Sequence, residues 1–294
     1  MNFFHPETVK RISRLDLRAK HIVDGFMSGL HQSRHFGNSV EFRQHRQYVQ
    51  GDDLRSVDWK VWAKQDRLYV KQYEVDTNLR TMLFVDVSAS MFFTTKIMTK
   101  YEYACTAAVS LAYLALRQQD AVGCIAFGGE QQTEILPKTK HSQLNAVAEQ
   151  LSAFSGGAAL NTAGSSFSFV PHQLKHHSLI ILLSDLLTER EDLFQTLRTL
   201  RSCGHDVIVL HILDAMEIDF TLGGAVQFDG LELPMQVRCQ PKTLRKDYLQ
   251  AVNAYLDEVK QGCAALKCDY ALLRTDTPLD AALPVYLSKR KSIR

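Results

Sequence analysis

The sequence predicts an α/β fold built on a doubly wound, mostly parallel sheet, and three observations predict it. Strand-length apolar runs recur along the chain, and helix-length amphipathic segments lie between them. The runs are continuously apolar, which is typical of strands covered on both faces. The chain has 294 residues of which 46% are hydrophobic, enough for a full core. Strands that alternate with helices form right-handed βαβ units in a three-layer sandwich.

The individual elements follow from the spacing of the apolar residues. The strand-like runs cover residues 81–86, 121–127, 179–184, 207–213 and 269–273. Apolar residues spaced three and four apart predict helices over residues 97–115, 144–154 and 193–200, a long helix over about 242–265, and a helical patch over 9–27. The predicted order of strands and helices is therefore the order expected of a parallel sheet.

A short β insertion interrupts this alternation before the last long helix. Two short apolar runs, Ala225–Phe228 and Leu231–Leu233, flank the dipeptide Asp229-Gly230. Asp-Gly between two apolar runs is a strong hairpin signal, because both residues tolerate the positive φ angles of a two-residue turn. We therefore predict a β-hairpin at about residues 220–238, with Leu231–Leu233 as its second strand.

Composition divides the chain in two and narrows its functional class. We predict an N-terminal helical and edge-strand segment, residues 1–80, that packs on an α/β domain, residues 81–294. A net charge of +2 is too small to indicate nucleic acid or membrane by itself. No run reaches the roughly 18 apolar residues of a membrane span, and the N-terminus does not resemble a signal peptide. We expect a cytoplasmic protein with no membrane span and no nucleic acid partner.

One short motif points to metal chemistry. The apolar run 81–85 ends in Asp86, and Ser88 and Ser90 follow at alternate positions. In open α/β sheets, ligands bind outside the carboxyl ends of the strands. A carboxylate and two hydroxyls on one tight loop suit a hard cation such as Mg²⁺. The alternative is that these side chains cap the next helix.

A three-layer α/β sandwich whose first strand ends in Asp-x-Ser-x-Ser resembles the von Willebrand factor A fold and its metal-ion-dependent adhesion site. In that fold, this loop, a Thr from a second loop and an Asp from a third surround the cation. The last coordination position is left for an acidic residue of a partner protein. The resemblance therefore implies a metal site made of Asp86, Ser88, Ser90 and further residues, with Mg²⁺ or Mn²⁺ as the cation.

Of the other two loops of the implied site, the third matches the von Willebrand A pattern and the second departs from it. Asp185 follows the strand 179–184 and matches the third-loop Asp, although it could also cap the following helix. In the second loop, the position of the family's Thr is taken by Ala158, which has no side-chain oxygen. Thr162 lies four residues further on and is the candidate replacement, with Asn161 as another possible donor. Loss of one neutral ligand weakens Mg²⁺ binding without abolishing it, since water can replace the hydroxyl.

The segment before the first strand narrows the family further. Residues 47–64 read QYVQGDDLRSVDWKVWAK, residues 68–74 read LYVKQYE, and residues 273–280 read LRTDTPLD. These segments resemble the signature of the von Willebrand A-like proteins known as domain-of-unknown-function family fifty-eight. Genes of that family commonly lie beside genes of MoxR-type AAA+ ATPases. The resemblance, which covers about residues 20–288, implies such an ATPase or its client as partner.

The charged block within this signature has two interpretations. Its acidic and basic side chains alternate with aromatic ones, so that a structural segment with internal ion pairs is one possibility. Asp52 and Asp53, which follow Gly51 in a predicted tight turn, are the candidates for a partner contact or a second cation site.

We therefore expect a non-enzymatic protein-interaction adaptor that works with a MoxR-type AAA+ ATPase in the maturation or remodelling of protein complexes. The alternative is a metal-dependent, phosphatase-like hydrolase that uses the same crevice. Phosphatases of comparable topology place a second Asp two residues after the nucleophile, whereas this chain has Ser88 there. A nucleic acid binder is disfavoured because the N-terminal aromatics lie in a mixed acidic and basic block.

Overall fold

The computed structural model describes residues 12, 14–31, 42–48, 61, 68–73, 79–95, 98–128, 133–154, 177–231 and 236–293. In chain order the elements within these ranges are α1 (Leu15–His31), β1 (Phe42–Gln47), β2 (Tyr69–Tyr73), β3 (Arg80–Asp86), α2 (Lys100–Arg117), β4 (Ala121–Phe127), β5 (Thr133–Lys138), α3 (Ser142–Ala153), β6 (Leu179–Ser184), α4 (Arg190–Ser202), β7 (Asp206–Leu213), α5 (Ala215–Asp219), β8 (Val226–Asp229), β9 (Gln236–Cys239), α6 (Pro241–Ala265), β10 (Asp269–Arg274) and α7 (Ala282–Ile293). The predicted apolar runs are all strands, which confirms the α/β fold class.

The main sheet is doubly wound around its central strands. Its six strands lie in the order β10-β7-β6-β3-β4-β5, and every neighbouring pair is parallel except β4 with β5. From β3 the chain proceeds to β4 on one side, and it later returns to β6 on the other side. The chain therefore reverses its direction of winding between β3 and β6, and this switch point is where open α/β sheets bind ligands.

Two hydrophobic layers cover the two faces of this sheet. Successive side chains of a strand point to opposite faces, so Leu83 and Val85 join one core cluster while Met82 and Phe84 join the other. The first cluster contains residues of α1, α2, α3 and α7, and the second contains residues of α4 and α6. This burial on both faces explains why the central strands are continuously apolar.

One edge strand was not predicted. Residues of β5 alternate between half-buried and exposed, and the strand contains Pro137, which the sheet tolerates because β5 lies at its edge. The register of β4 with β5 shifts between Val122 and Cys124. At Gly123 an added Cβ would lie 2.4 Å from the Met82 Sδ and 2.7 Å from the Ile135 carbonyl oxygen. The glycine thus permits a close approach that the apolar pattern alone does not indicate.

The predicted insertion is a hairpin, but its second strand was placed wrongly. β8 and β9 pair antiparallel, with Asp229 opposite Gln236. Because Asp229 is itself paired, Asp229-Gly230 is not a two-residue turn, and Leu231 is not part of a strand. The rest of the predicted second strand, residues 232–233, lies outside the described residues. The Asp-Gly signal located the hairpin correctly, but the register depended on cross-strand contacts further along the chain.

The chain divides into two compact units, one formed by residues 1–28 with 79–294 and the other by residues 29–78. Within the first, Ala19, Ile22 and Val23 of α1 are fully buried in the core. In the second, β1 and β2 form a two-stranded antiparallel sheet. Asp52 and Asp53 lie outside the described residues. Over the described part of the chain, every helix is too short or too polar to cross a lipid bilayer.

Candidate metal centre

The predicted first-loop and third-loop residues meet at the switch point of the sheet. β3 ends at Asp86 and β6 ends at Ser184, and the two strands are parallel neighbours paired from Thr81–Leu179 to Val85–Leu183. Their carboxyl ends therefore deliver Asp86 and Asp185 to the same edge. Both aspartates are about 99% buried, since each retains 1% of its exposure.

Within the described residues, the Asp86 carboxylate accepts hydrogen bonds from neutral groups and from no cationic side chain. Its Oδ1 accepts a hydrogen bond from the Ser88 amide at 2.8 Å, and its Oδ2 accepts one from the Ser184 hydroxyl at 2.5 Å. Burial, and next the negative charge of Asp185, raise the pKa of Asp86 to about 7, although these hydrogen bonds act in the opposite direction. This carboxylate is therefore a site of negative potential that a cation would stabilise.

The two serine hydroxyls of the first loop lie side by side. The Oγ atoms of Ser88 and Ser90 are 3.1 Å apart, and both side chains are buried. Ser88 precedes a short 3-10 turn, Ala89–Phe92, but its side chain makes no capping hydrogen bond there. Thr99 is the residue that caps α2. The alternative interpretation of the motif as a helix cap is therefore wrong, and the hydroxyls stand beside the Asp86 carboxylate.

Gly128 forms one wall of the site. It follows β4 with a φ of +90°, and a Cβ at this position would lie 2.7 Å from Asp86 Oδ1 and 3.3 Å from the Ser88 amide nitrogen. A side chain here would therefore overlap the carboxylate and strain the backbone. The absence of a Cβ at Gly128 therefore lets its backbone lie directly against the Asp86 carboxylate.

Asp185 has a different set of partners. Its Oδ2 accepts a hydrogen bond from Lys100 Nζ at 2.8 Å, and its Oδ1 accepts one from the Leu187 amide at 3.3 Å. The same ammonium group donates to Glu217 Oε1 at 2.7 Å. Glu189, rather than Asp185, occupies the N-cap position of α4, so the capping alternative for Asp185 is also wrong.

Lys100 is a residue of this candidate site that the sequence patterns did not reveal. Its side chain is fully buried, and burial by itself lowers the pKa of the amine, but the charges and hydrogen bonds of Asp185 and Glu217 outweigh this effect and raise it. A signal was present in the sequence. Lys100 is the first residue of α2, and the positive end of the helix dipole disfavours a lysine there. Carboxylates from other loops stabilise it, and only the fold brings them to this helix end.

A neutral histidine fixes the backbone of the third loop. His211 Nε2 lies 2.9 Å from the Asp185 carbonyl oxygen, which can only accept, so Nε2 is the donor. Nδ1 then accepts from the Tyr270 hydroxyl at 2.9 Å. Burial lowers the pKa of His211 to about 4, in agreement with a neutral ring. His211 is therefore a buried histidine with a hydrogen bond at each ring nitrogen.

The chemistry of this donor set fits a hard divalent cation held mainly by the first loop. Asp86, Ser88 and Ser90 supply oxygen atoms from one loop, and the hydrogen-bond donors to Asp86 in the described part of the chain are neutral. Within the described residues, no group of three or more His, Cys, Asp and Glu side chains is placed to hold a metal. Any cation would therefore depend on hydroxyl oxygens as well as carboxylates. Ala158 and Thr162 lie outside the described residues, so the predicted role of Thr162 stays a prediction.

The fold and this site together define the class of the protein. A mostly parallel sheet between two helical layers, with Asp-x-Ser-x-Ser at its switch point, is an α/β domain of von Willebrand A type. The chain belongs to the family described as "Protein of unknown function DUF58", whose sequence model matches residues 44–257. The resemblance seen in the signature segments is thereby confirmed.

Two curated relatives match almost the whole of this chain, and their names describe no activity. The "Uncharacterized protein Rv1480" of Mycobacterium tuberculosis and the "Uncharacterized protein Mb1516" of Mycobacterium bovis are each 25% identical, covering 97% of this chain and 90% of theirs.

Solved structures with similar chains include three proteins of low identity. An aerotolerance-related membrane protein from Bacteroides fragilis is 15% identical with a TM-score of 0.44, covering 72% of this chain and 99% of that one. The conserved hypothetical protein BatB from Bacteroides thetaiotaomicron is 14% identical with a TM-score of 0.44, covering 72% and 98%. The SpRpn10 VWA domain is 10% identical with a TM-score of 0.37, covering 71% and 97%.

Proposed function

We propose that this protein is a non-enzymatic interaction adaptor that docks an acidic group of a partner protein onto a bound divalent cation, Mg²⁺ or Mn²⁺. Asp86, Ser88 and Ser90 hold the cation, and Asp185 lies behind them with its charge balanced by Lys100. When bound, the cation supplies an electrophilic position toward a carboxylate. The partner is a MoxR-type AAA+ ATPase or the client of that ATPase, as the family resemblance implies.

The observation that carries this proposal is the environment of Asp86. Among the described residues, this buried carboxylate receives hydrogen bonds from the Ser88 amide and the Ser184 hydroxyl and none from a cationic group. The nearby charge of Asp185 adds to the cost of its burial, so that a cation would stabilise it. The paired Ser88 and Ser90 hydroxyls belong to the same loop, and Gly128 lies directly against the carboxylate. A docking role suits this arrangement because Lys100 and the Leu187 amide already engage the oxygens of Asp185.

Isothermal titration with Mg²⁺ and Mn²⁺ tests the metal centre directly. We expect the wild-type chain to bind and the Asp86→Asn variant to lose measurable binding, because the amide carries no charge. Asp120→Asn is the matched control. Asp120 is equally buried but lies at the opposite edge of the sheet, where it accepts hydrogen bonds from the Leu79 amide and the Tyr286 hydroxyl. If the wild type and Asp86→Asn bind the cation equally well, the cation does not bind at Asp86 and the proposed metal centre is wrong.

Capture of a MoxR-type ATPase from the same genome tests the docking role. We expect capture in Mg²⁺, and loss of capture both in EDTA and with Asp86→Asn. If the ATPase is captured both in EDTA and by Asp86→Asn, the protein acts as an adaptor that does not need the metal. Turnover of a generic phosphate ester by the metal-loaded chain, absent in Asp86→Asn, would instead favour the hydrolase alternative.

A further inference from the structure

A third buried aspartate, Asp214, lies at the same edge of the sheet as Asp86 and Asp185. It directly follows β7, which is the parallel neighbour of β6, and it is 1% exposed. Because parallel strands end at one edge, the loop after β7 lies next to the third loop of the metal centre. The motifs that predict the metal site do not include this residue.

Hydrogen bonds from neutral groups occupy both oxygens of the Asp214 carboxylate. Its Oδ1 accepts from the Thr95 hydroxyl at 2.5 Å and from the Met216 amide at 2.8 Å. Its Oδ2 accepts from the Thr95 amide and from the Thr275 hydroxyl, each at 3.3 Å. Four donors match the four lone-pair sites of a carboxylate. Asp214 therefore has no lone pair left for a cation, and it acts on the metal centre through its hydrogen-bond partners.

Thr95 belongs to the connection between the first loop and α2. This connection begins directly after the 3-10 turn Ala89–Phe92, which contains Ser90, and it leads to Lys100. The Phe93 amide donates to the Ser90 carbonyl oxygen at 3.1 Å, and the Lys100 amide donates to the Phe93 carbonyl oxygen at 3.2 Å. These two bonds join the backbone of the turn to the start of α2. A fixed position of Thr95 therefore restrains the backbone that carries the Ser90 hydroxyl.

The backbone of Asp214 is connected to the third loop. Its amide donates to Glu217 Oε2 at 2.7 Å, in the capping box that begins α5. Glu217 Oε1 accepts from Lys100 Nζ at 2.7 Å, and Nζ also donates to Asp185 Oδ2 at 2.8 Å. The capping box therefore binds the connection before α2 at two points, Thr95 and Lys100, and through Lys100 it holds Asp185.

We propose that Asp214 is a positioning residue of the metal centre. Through Thr95 it fixes the backbone of the first loop, and through Glu217 and Lys100 it fixes Asp185. Groups that orient metal ligands raise metal affinity, because the ligand oxygens are already ordered when the cation binds. The proposal rests on the metal-dependent adaptor function above and adds to it a residue that sets cation affinity without touching the cation.

Thr95→Val tests the positioning role without disturbing the cap of α5. The substitution removes the hydroxyl donor to Asp214 and leaves the bond from the Met216 amide, which caps α5. In isothermal titration we expect the affinity for Mg²⁺ to fall about tenfold, and we expect Thr95→Ser, which keeps the hydroxyl, to bind as the wild type does. Thr199→Val is the matched control. Its hydroxyl donates to the Gln195 carbonyl oxygen within α4, so this variant should also bind as the wild type does.

Urea denaturation in EDTA and at one fixed Mg²⁺ concentration separates positioning from a structural effect. A residue that only supports the fold lowers stability equally in both solutions, so the increase in stability that Mg²⁺ gives stays unchanged. We expect this increase to be smaller in Thr95→Val than in the wild type. An increase equal to that of the wild type overturns the positioning role, whatever the stability of the variant in EDTA.

The wild type and Asp86→Asn distinguish a failure of this proposal from a failure of the metal centre. If the wild type binds Mg²⁺, Asp86→Asn does not, and Thr95→Val binds as tightly as the wild type, the metal centre stands and the positioning role of Asp214 is wrong. If the wild type does not bind Mg²⁺, or Asp86→Asn binds it equally well, the metal centre is wrong and the positioning role is wrong with it.

Discussion

Asp86 and Asp185 are buried aspartates at the ends of two neighbouring strands, yet the fold compensates them differently. Asp86 accepts hydrogen bonds from an amide and a hydroxyl, whereas Asp185 accepts one from the Lys100 ammonium. Within the described residues, the third-loop aspartate is therefore paired with a cation supplied by α2, and the first-loop aspartate is not. The comparison indicates that Asp185 is held in place with or without metal, and that Asp86 is the group whose energy a bound cation changes most.

The strongest way to break this comparison is to remove the internal cation. Lys100→Met leaves the buried Asp185 and the half-buried Glu217 without their common partner, so we expect a loss of about 3–5 kcal/mol in the free energy of unfolding, measured by urea denaturation. Arg117→Met is the control. Its ion pair with Asp24 is exposed, with 44% and 56% of the side chains accessible, and its removal should change stability by about 1 kcal/mol or less.

The same variant also sharpens the comparison. Without the ammonium, Asp185 resembles Asp86, and Mg²⁺ should raise the stability of Lys100→Met more than that of the wild type. The double variant Lys100→Met/Asp185→Asn should recover part of the lost stability. If Lys100→Met unfolds at the same urea concentration as the wild type, the ion pair does not hold the third loop.

The second prediction concerns the close contact between Gly128 and Asp86. Gly128→Ala introduces a Cβ 2.7 Å from Asp86 Oδ1 on a backbone with positive φ, so we expect a destabilisation of about 1–3 kcal/mol and weaker Mg²⁺ binding. Gly204→Ala provides a close control, because Gly204 has a similar φ of +84° but no atom within 4 Å of the added Cβ. It should lose about 1–2 kcal/mol from the backbone alone. Unchanged titration with Mg²⁺ in Gly128→Ala would contradict the assigned role of this wall.

The smallest net change in the free energy of unfolding is expected when the pH of the metal-free protein is varied. The folded-state pKa of Asp86 is raised, so its contribution to stability is present below about pH 4 and is lost as the pH rises to about 7. His211 acts in the opposite direction, because its lowered pKa gives a contribution present above about pH 6.5 and lost as the pH falls to about 4. The two changes partly cancel in the wild-type protein.

Asp86→Asn separates the two contributions. In EDTA, the stability of the wild type relative to this variant should fall as the pH rises from about 4 to about 7, as followed by urea denaturation at each pH. A difference that does not change over this range would show that Asp86 is not an uncompensated buried carboxylate.

Much of the fold and part of the site could be predicted from local patterns. The runs 121–127 and 179–184 gave strands with the same bounds in the structure, because a strand buried on both faces needs apolar side chains at every position. β5 was missed because an antiparallel edge strand is half exposed and contains Pro137. In the hairpin, a strong turn signal gave the place but not the register, since cross-strand packing decided where β9 begins.

The sequence by itself determined that a carboxylate and two hydroxyls follow a buried strand, and that a second aspartate follows another. Parallel strands end at one edge of a sheet, so these groups had to meet. Only the tertiary structure decided how their charges are balanced. Lys100, Gly128 and Glu217 come from three separate connections, and their approach to Asp86 and Asp185 depends on helix packing that no local pattern records. Burial then makes each of these contacts strong, because water no longer screens the charges.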